Sequence, residues 1–182
     1  QLSVMGGAKN DRVVMSAGFK NAETLSSGVL GLRANLVQDS VTGQRRVALS
    51  IQPSTINNRQ REWRITSGPV TIDTTRIVVN DFRIRSDRQM LHLDGVASRS
   101  REDSLTLVMQ EFDISPFMGF AKRMNYTVTG QGSGVASMKS GLSGGELMAD
   151  IDIDSMYVNE FAVAPLCLLS AWDMNQQRVR ES

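Results

Sequence analysis

Trp63-Arg-Ile-Thr-Ser-Gly-Pro-Val-Thr-Ile-Asp-Thr-Thr-Arg-Ile-Val-Val-Asn-Asp-Phe-Arg-Ile-Arg-Ser-Asp-Arg-Gln-Met-Leu-His-Leu-Asp-Gly-Val-Ala-Ser98 is the stretch whose reading decides the fold. Apolar residues recur two apart in short bursts: Trp63/Ile65, Val70/Ile72, Ile77/Val79, Phe82/Ile84 and Leu91/Leu93. That period belongs to a strand with one apolar and one polar face. Turn-forming residues separate the bursts at Ser67-Gly68-Pro69, Asp73-Thr74-Thr75, Asn80-Asp81, Ser86-Asp87 and Asp94-Gly95. No catalytic set stands among them.

The same pattern extends in both directions. Upstream, Leu2-Ser-Val-Met breaks at Gly6-Gly7, and a strand follows over Arg12–Phe19. Leu30, Leu32, Ala34 and Leu36 alternate, then Val47, Leu49 and Ile51 return as a hairpin around Gly43, the expected positive-φ residue. Pro53 to Gln60 reads as a polar turn. Downstream, Leu105, Leu107 and Met109 alternate, followed by Phe112 and Ile114. Ser115-Pro116 is a helix start, because Ser caps free N–H groups and Pro suits the first helical position. A short helix is expected over Pro116–Arg123. Strands resume with Tyr126/Val128, then Leu147, Ala149, Ile151 and Ile153, then Leu166/Leu168.

Composition sets bounds. The chain of 182 residues is 41% hydrophobic but only 5% aromatic, so its apolar face is aliphatic and Met-filled. A net charge of +1 gives no global pull toward nucleic acid. The single Cys167 excludes an internal disulfide. With two Trp and two Tyr, an aromatic cleft with paired carboxylates for sugar hydrolysis is disfavoured. No apolar run approaches the ~20 residues of a membrane helix. The chain opens at Gln1 with no initiator Met or signal peptide, and reads as a fragment of a longer protein. The expectation is an all-β chain, an elongated, twisted antiparallel or repeating sheet with one short helix near Pro116–Arg123. It forms a single unit over 1–182, with two weak repeats at about 1–114 and 115–182. Val79-Asn-Asp-Phe-Arg-Ile is matched by Val158-Asn-Glu-Phe-Ala-Val.

Several segments resemble a known family. They are Phe112-Asp-Ile-Ser-Pro-Phe, Asn125-Tyr-Thr-Val-Thr-Gly-Gln-Gly-Ser-Gly-Val-Ala-Ser-Met, Gly145-Glu-Leu-Met-Ala-Asp-Ile-Asp-Ile and Leu166-Cys-Leu-Leu-Ser-Ala-Trp-Asp. Together they are similar to repeats of the TamB (translocation and assembly module) family of the AsmA-like superfamily, in its Bacteroidetes form. The likeness covers about Trp63 to Arg178. One departure is Pro165-Leu166-Cys167, where the family commonly places a Gly before the strand.

The resemblance implies a Gram-negative, periplasmic β-sheet folded lengthwise into a taco-like apolar groove, anchored in the inner membrane by a segment outside this chain. It implies a role in outer-membrane biogenesis: phospholipid transport, or support of an outer-membrane assembly protein of the Omp85 type. It implies no enzyme activity and no cofactor. The alternating pattern alone favours a closed sandwich core, and the resemblance brings the open groove level with it; a structural module binding protein through its edge strands, or a sheet-edge dimer, is the competing expectation.

On the groove reading the acyl-chain candidates are Ile65, Val70, Ile72, Ile77, Val79, Ile84, Leu91, Leu93, Leu105, Leu107, Met109, Val128, Leu147, Ala149, Ile151 and Ile153. Arg83, Arg85 and Arg88 form a basic strand face near Arg76 that suits phosphate headgroups or an acidic partner, with pairing to Asp81 and Asp87 as the plainer alternative. His92 has no nucleophile beside it and reads as an exposed strand residue. Asp150, Asp152 and Asp154 read as a solvated face, because a straight strand spreads them too far to converge on a cation. Gly130, Gly132 and Gly134 read as a bulge or bend. Cys167, between two leucines, reads as an inert, partly buried thiol.

Overall fold

The computed structural model describes residues 1–21, 26–38, 43, 45–58, 61–114, 127–159, 161–163, 165–173 and 178–181. All regular structure among them is strand. The strands are β1 (Leu2–Lys9), β2 (Arg12–Asn21), β3 (Ser26–Gln38), β4 (Arg45–Asn58), β5 (Arg61–Thr66), β6 (Val70–Ile72) and β7 (Arg76–Ser86). They continue as β8 (Gln89–Ser98), β9 (Ser104–Asp113), β10 (Val128–Lys139), β11 (Glu146–Val158), β12 (Phe161–Ala162), β13 (Leu166–Asp173) and β14 (Arg178–Glu181). Every pairing is antiparallel, and the 14-stranded sheet follows chain order from β1 to β14.

The strands β5 and β6 act as two halves of one interrupted strand. Long β4 pairs with β5 through Ser54–Asn58 and with β6 through Val47–Leu49. β7 pairs with the same two halves on its other side. The intervening Ser67-Gly68-Pro69 is pinned where Asn80 Nδ2 donates to the Pro69 carbonyl at 2.7 Å.

Several expected breaks are continuous strand. β1 runs straight through Gly6-Gly7, and its turn falls at Asn10-Asp11, whose φ values of 49° and 59° suit the tight twist of a two-residue hairpin. β4 continues through Pro53 to Asn58 in place of the expected turn. Asn80-Asp81 and Asp94-Gly95 are not turns either. They form one β-bulge device: the β7–β8 register shifts between Val79 and Phe82, and Asp81 takes φ 50°. The Asp81 amide freed by the shift donates to Asp94 Oδ1 at 2.9 Å. Gly95, at φ 119°, has no room for a Cβ against the Ser104 carbonyl oxygen of β9.

Such shifts recur on every second strand of this part of the sheet. β4 shifts opposite Val29/Gly31, β9 opposite Gly132/Gly134 with Glu111 at φ 44°, and β11 opposite Thr129/Gln131 with Ser155 at φ 51°. The Glu111 amide is satisfied by Ser133 Oγ at 2.9 Å, and the Gly31 amide by Ser54 Oγ at 3.2 Å. Each extra residue bends its strand and increases local twist. The bulges expected within Gly130–Gly134 fall instead on the strands opposite it, at Glu111 of β9 and Ser155 of β11, whereas Gly43 takes the expected positive φ. The expected helix Pro116–Arg123 lies outside the described residues. The two six-residue segments read as a repeat serve different local structures: Val79–Ile84 crosses a bulge inside β7, whereas Val158–Val163 leaves β11 through Asn159 at φ 48°.

The sheet lacks a conventional interior. Ile65, Val79, Ala97, Phe112, Ile114 and Ile153 are its buried apolar residues, and no large side chain is fully buried among the described residues. The accessible surface is 12746 Å², against about 8,700 Å² for a compact chain of this mass. Strands pack chiefly against their ladder neighbours.

Candidate functional site

Antiparallel register places directly opposed residues on the same face, so the two faces can be traced from strand to strand. From Ile65 the line runs through Ile84, Leu91, Met109, Gly134 and Ile151. A second runs from Val47 through Ile72, Ile77 and Ala97. Alternation then puts every acyl-chain candidate named above on one face. The bulges preserve this, because each inserts its extra residue where the alternation would otherwise slip. The face continues onto β3, β2 and β1 as Leu32, Met15 and Val4. There it is open: Met15 is 44% exposed and Val4 58%. Toward β5–β11 it is half-buried.

The sheet bends toward this apolar face around the β7–β8 hairpin. Trp63 of β5 and Phe112 of β9 lie on the face, and their rings meet edge to face with centroids 5.5 Å apart. Three strand spacings separate β5 from β9, about 14 Å in a flat sheet. Side chains standing perpendicular to a flat sheet would not meet across that distance. The contact closes over the end of the hairpin, where Ser86 and Gln89 are buried and Ser86 Oγ and Gln89 Oε1 have no hydrogen-bond partner.

The opposite face is mixed, with Met5, Val14, Val29, Val135 and Met148 exposed on it among polar residues. On β11 it carries Asp150, Asp152 and Asp154, which stay spread along the strand; no acidic or histidine cluster able to hold a metal exists among the described residues. Cys167 lies opposite Asp152 and is exposed, not partly buried as expected. Its neighbours Leu166 and Leu168 occupy apolar-face register positions, so the residue between them must face away. A hydrogen bond and the charge of Asp152 push the thiol pKa up, which makes it a poor nucleophile.

The basic residues divide by role. Arg83 is paired internally, its Nη2 2.6 Å from Asp81 Oδ1, while its Nε is buried without a partner. His92 Nε2 lies 2.9 Å from the same carboxylate oxygen, close enough for an ion pair when protonated but off the hydrogen-bond direction. His92 is thus half-buried beside Asp81 and not the exposed residue expected. Arg88 sits in the β7–β8 turn and not on a strand face. Arg85 has no ion-pair partner among the described residues and stands directly opposite Arg64 of β5. Sequence reasoning had not singled out Arg64. It is held at 2.7 Å by Glu62. Glu62, Arg64, Thr66, Arg83, Arg85, Ser86 and Asp87 line one cleft of about 620 Å³ at these strand ends.

No protein-family model, curated protein or solved structure matches this chain.

Proposed function

We propose that this chain is a non-enzymatic segment of an envelope-spanning periplasmic protein that shields or conducts phospholipid acyl chains between membranes, in support of outer-membrane assembly. The observation that carries the reading is the predominantly apolar face, continuous from strand to strand through the register and covered by no second layer among the described residues. Contiguous apolar surface of this extent marks an interaction site. Leu, Ile, Val and Met give acyl chains adaptable contact that demands no hydrogen bonds. The bulges that bend alternate strands suit a sheet folded lengthwise around such chains, and the TamB-like motifs supply the envelope setting.

The test is native mass spectrometry with lipid extraction on protein purified from a bacterial envelope. Phospholipid should accompany the chain at about one per molecule, and Ile151→Asp should abolish it while the strand circular dichroism is retained. Lipid-free protein, or lipid retained by a folded Ile151→Asp variant, would overturn the reading.

A structural module that recruits protein by strand addition is the second reading. It is favoured by β1, an edge strand exposed along its whole length and uncharged until Lys9. Its signature is a protein partner that slows amide exchange in β1 and leaves the apolar face unprotected.

A further inference from the structure

We propose that the cleft at the rim of the sheet, where β5 begins and the β7–β8 hairpin turns, binds the phosphodiester of a phospholipid headgroup through Arg64, Arg83 and Arg85. The proposal rests on the reading of the apolar face as an acyl-chain surface and adds to it a place for the polar end of the lipid.

The register brings the guanidinium groups together. Arg64 and Arg85 are directly opposed across β5 and β7, and Arg83 is opposite Thr66, one diagonal step away. Opposed side chains start about 5 Å apart at Cβ and diagonal ones about 7–8 Å, well within the reach of three arginines around one phosphate. Like charges directly opposed destabilise a ladder unless something between them is negative. For Arg64 that counterion is Glu62 and for Arg83 it is Asp81, but Arg85 has none among the described residues. Glu62 and Asp87 line the cleft with the three arginines, and Asp81 neutralises Arg83 from beside it. Arg85 is therefore the guanidinium left without an ion pair among the described residues, and the Thr66 hydroxyl is a further donor. The planar forks of arginine match the oxygens of a phosphodiester.

Position makes the headgroup assignment specific. Ser86 lines the cleft yet belongs to the apolar-face register, opposite Gln89. Trp63, on the apolar face, lies between Glu62 and Arg64. The cleft therefore sits where the two faces meet at the strand ends. An amphiphile can lay its chains along the half-buried Trp63, Ile84 and Leu91 and turn its phosphate over the rim into the arginines. A free anion would use only half of this arrangement.

The experiment titrates the protein with dioleoylphosphatidylethanolamine, with dioleoylglycerol, which lacks the phosphate, and with water-soluble glycerophosphoethanolamine. It compares the natural chain with Arg85→Gln and with Arg64→Gln/Arg85→Gln, each checked for strand circular dichroism. Arg85→Gln guards against misfolding, since Arg85 holds no partner in place. The expected result is about a tenfold or greater loss of phospholipid affinity in the double variant, a smaller loss in Arg85→Gln, and unchanged dioleoylglycerol binding. Equal binding of phospholipid and dioleoylglycerol, both indifferent to the substitutions, would overturn the arginine site and leave the acyl-chain face standing. Arginine-dependent binding of glycerophosphoethanolamine with no gain from acyl chains would keep the phosphate site and overturn the acyl-chain reading. Binding of none of the three would overturn both.

Discussion

Replacing Leu107 by Asp separates an open apolar face from a closed core. Leu107 lies in the middle of β9, between Leu93 of β8 and Ala136 of β10, and is half-buried. Full burial of a leucine side chain stabilises by about 1.5–3 kcal/mol. A half-buried one forfeits about 1–1.5 kcal/mol, to which the lower strand preference of Asp adds up to about 1 kcal/mol. On the open face the carboxylate keeps its water, so the total cost is about 2 kcal/mol, within the usual range for one substitution. Beneath a second layer the sum is different. The lost packing alone costs about 2–5 kcal/mol, and desolvating the carboxylate or forcing its protonation adds several kcal/mol more. That approaches the whole stability of a domain, about 5–15 kcal/mol. Urea unfolding followed by far-ultraviolet circular dichroism measures the difference. The expected outcome is a folded Leu107→Asp variant with a lowered midpoint and an unchanged slope. A variant unfolded in water, with Leu107→Ala still folded, would refute the open face.

Other consequences can be measured in the same way. Gly95→Ala should cost about 3 kcal/mol, because the new Cβ meets the Ser104 carbonyl oxygen at a φ that side chains avoid; Gly7→Ala, with nothing near its Cβ, should gain about 0.4–1 kcal/mol, and urea midpoints of the pair check both. Asp73 closes the β6–β7 turn, its Oδ1 accepting from Thr75 N at 2.7 Å, Thr75 Oγ1 at 2.6 Å and Arg76 N at 2.9 Å. Chiefly the Thr75 bonds hold its pKa at about 2, below the ordinary 3.8. A depressed folded pKa gives stability that is complete above the unfolded value and lost as pH falls through the folded one. Thermal midpoints should therefore drop between about pH 4 and about pH 2 more steeply in the natural chain than in Asp73→Asn. Cys167, exposed but held protonated by Asp152, should alkylate slowly with iodoacetamide near about pH 8, and Asp152→Asn should speed the reaction.

What local pattern could reveal, it revealed. Period-two alternation is set by adjacent residues, so the strands and the membership of the apolar face follow from it. Cys167 carried the same signal: a residue between two apolar-face leucines must point the other way. The failures share one cause. Asn80-Asp81 and Asp94-Gly95 have turn chemistry, but the same left-handed φ and side-chain acceptor that end a strand also serve a bulge within one. Which role they take depends on whether the partner strand continues past them, and that partner is remote in sequence. Pro53 likewise tolerates a strand where the register shifts and no ladder donor is required.

By itself the sequence determined an all-β chain with one predominantly apolar face, because side-chain direction in a strand is a property of neighbouring residues. Only the tertiary structure decided that the strands form one sheet in chain order, that bulges bend alternate strands, and that Arg64 meets Arg85 across the β5–β7 ladder. It also decided that no second layer covers this face among the described residues. Register and coverage arise from contacts between distant segments, and no local periodicity encodes them.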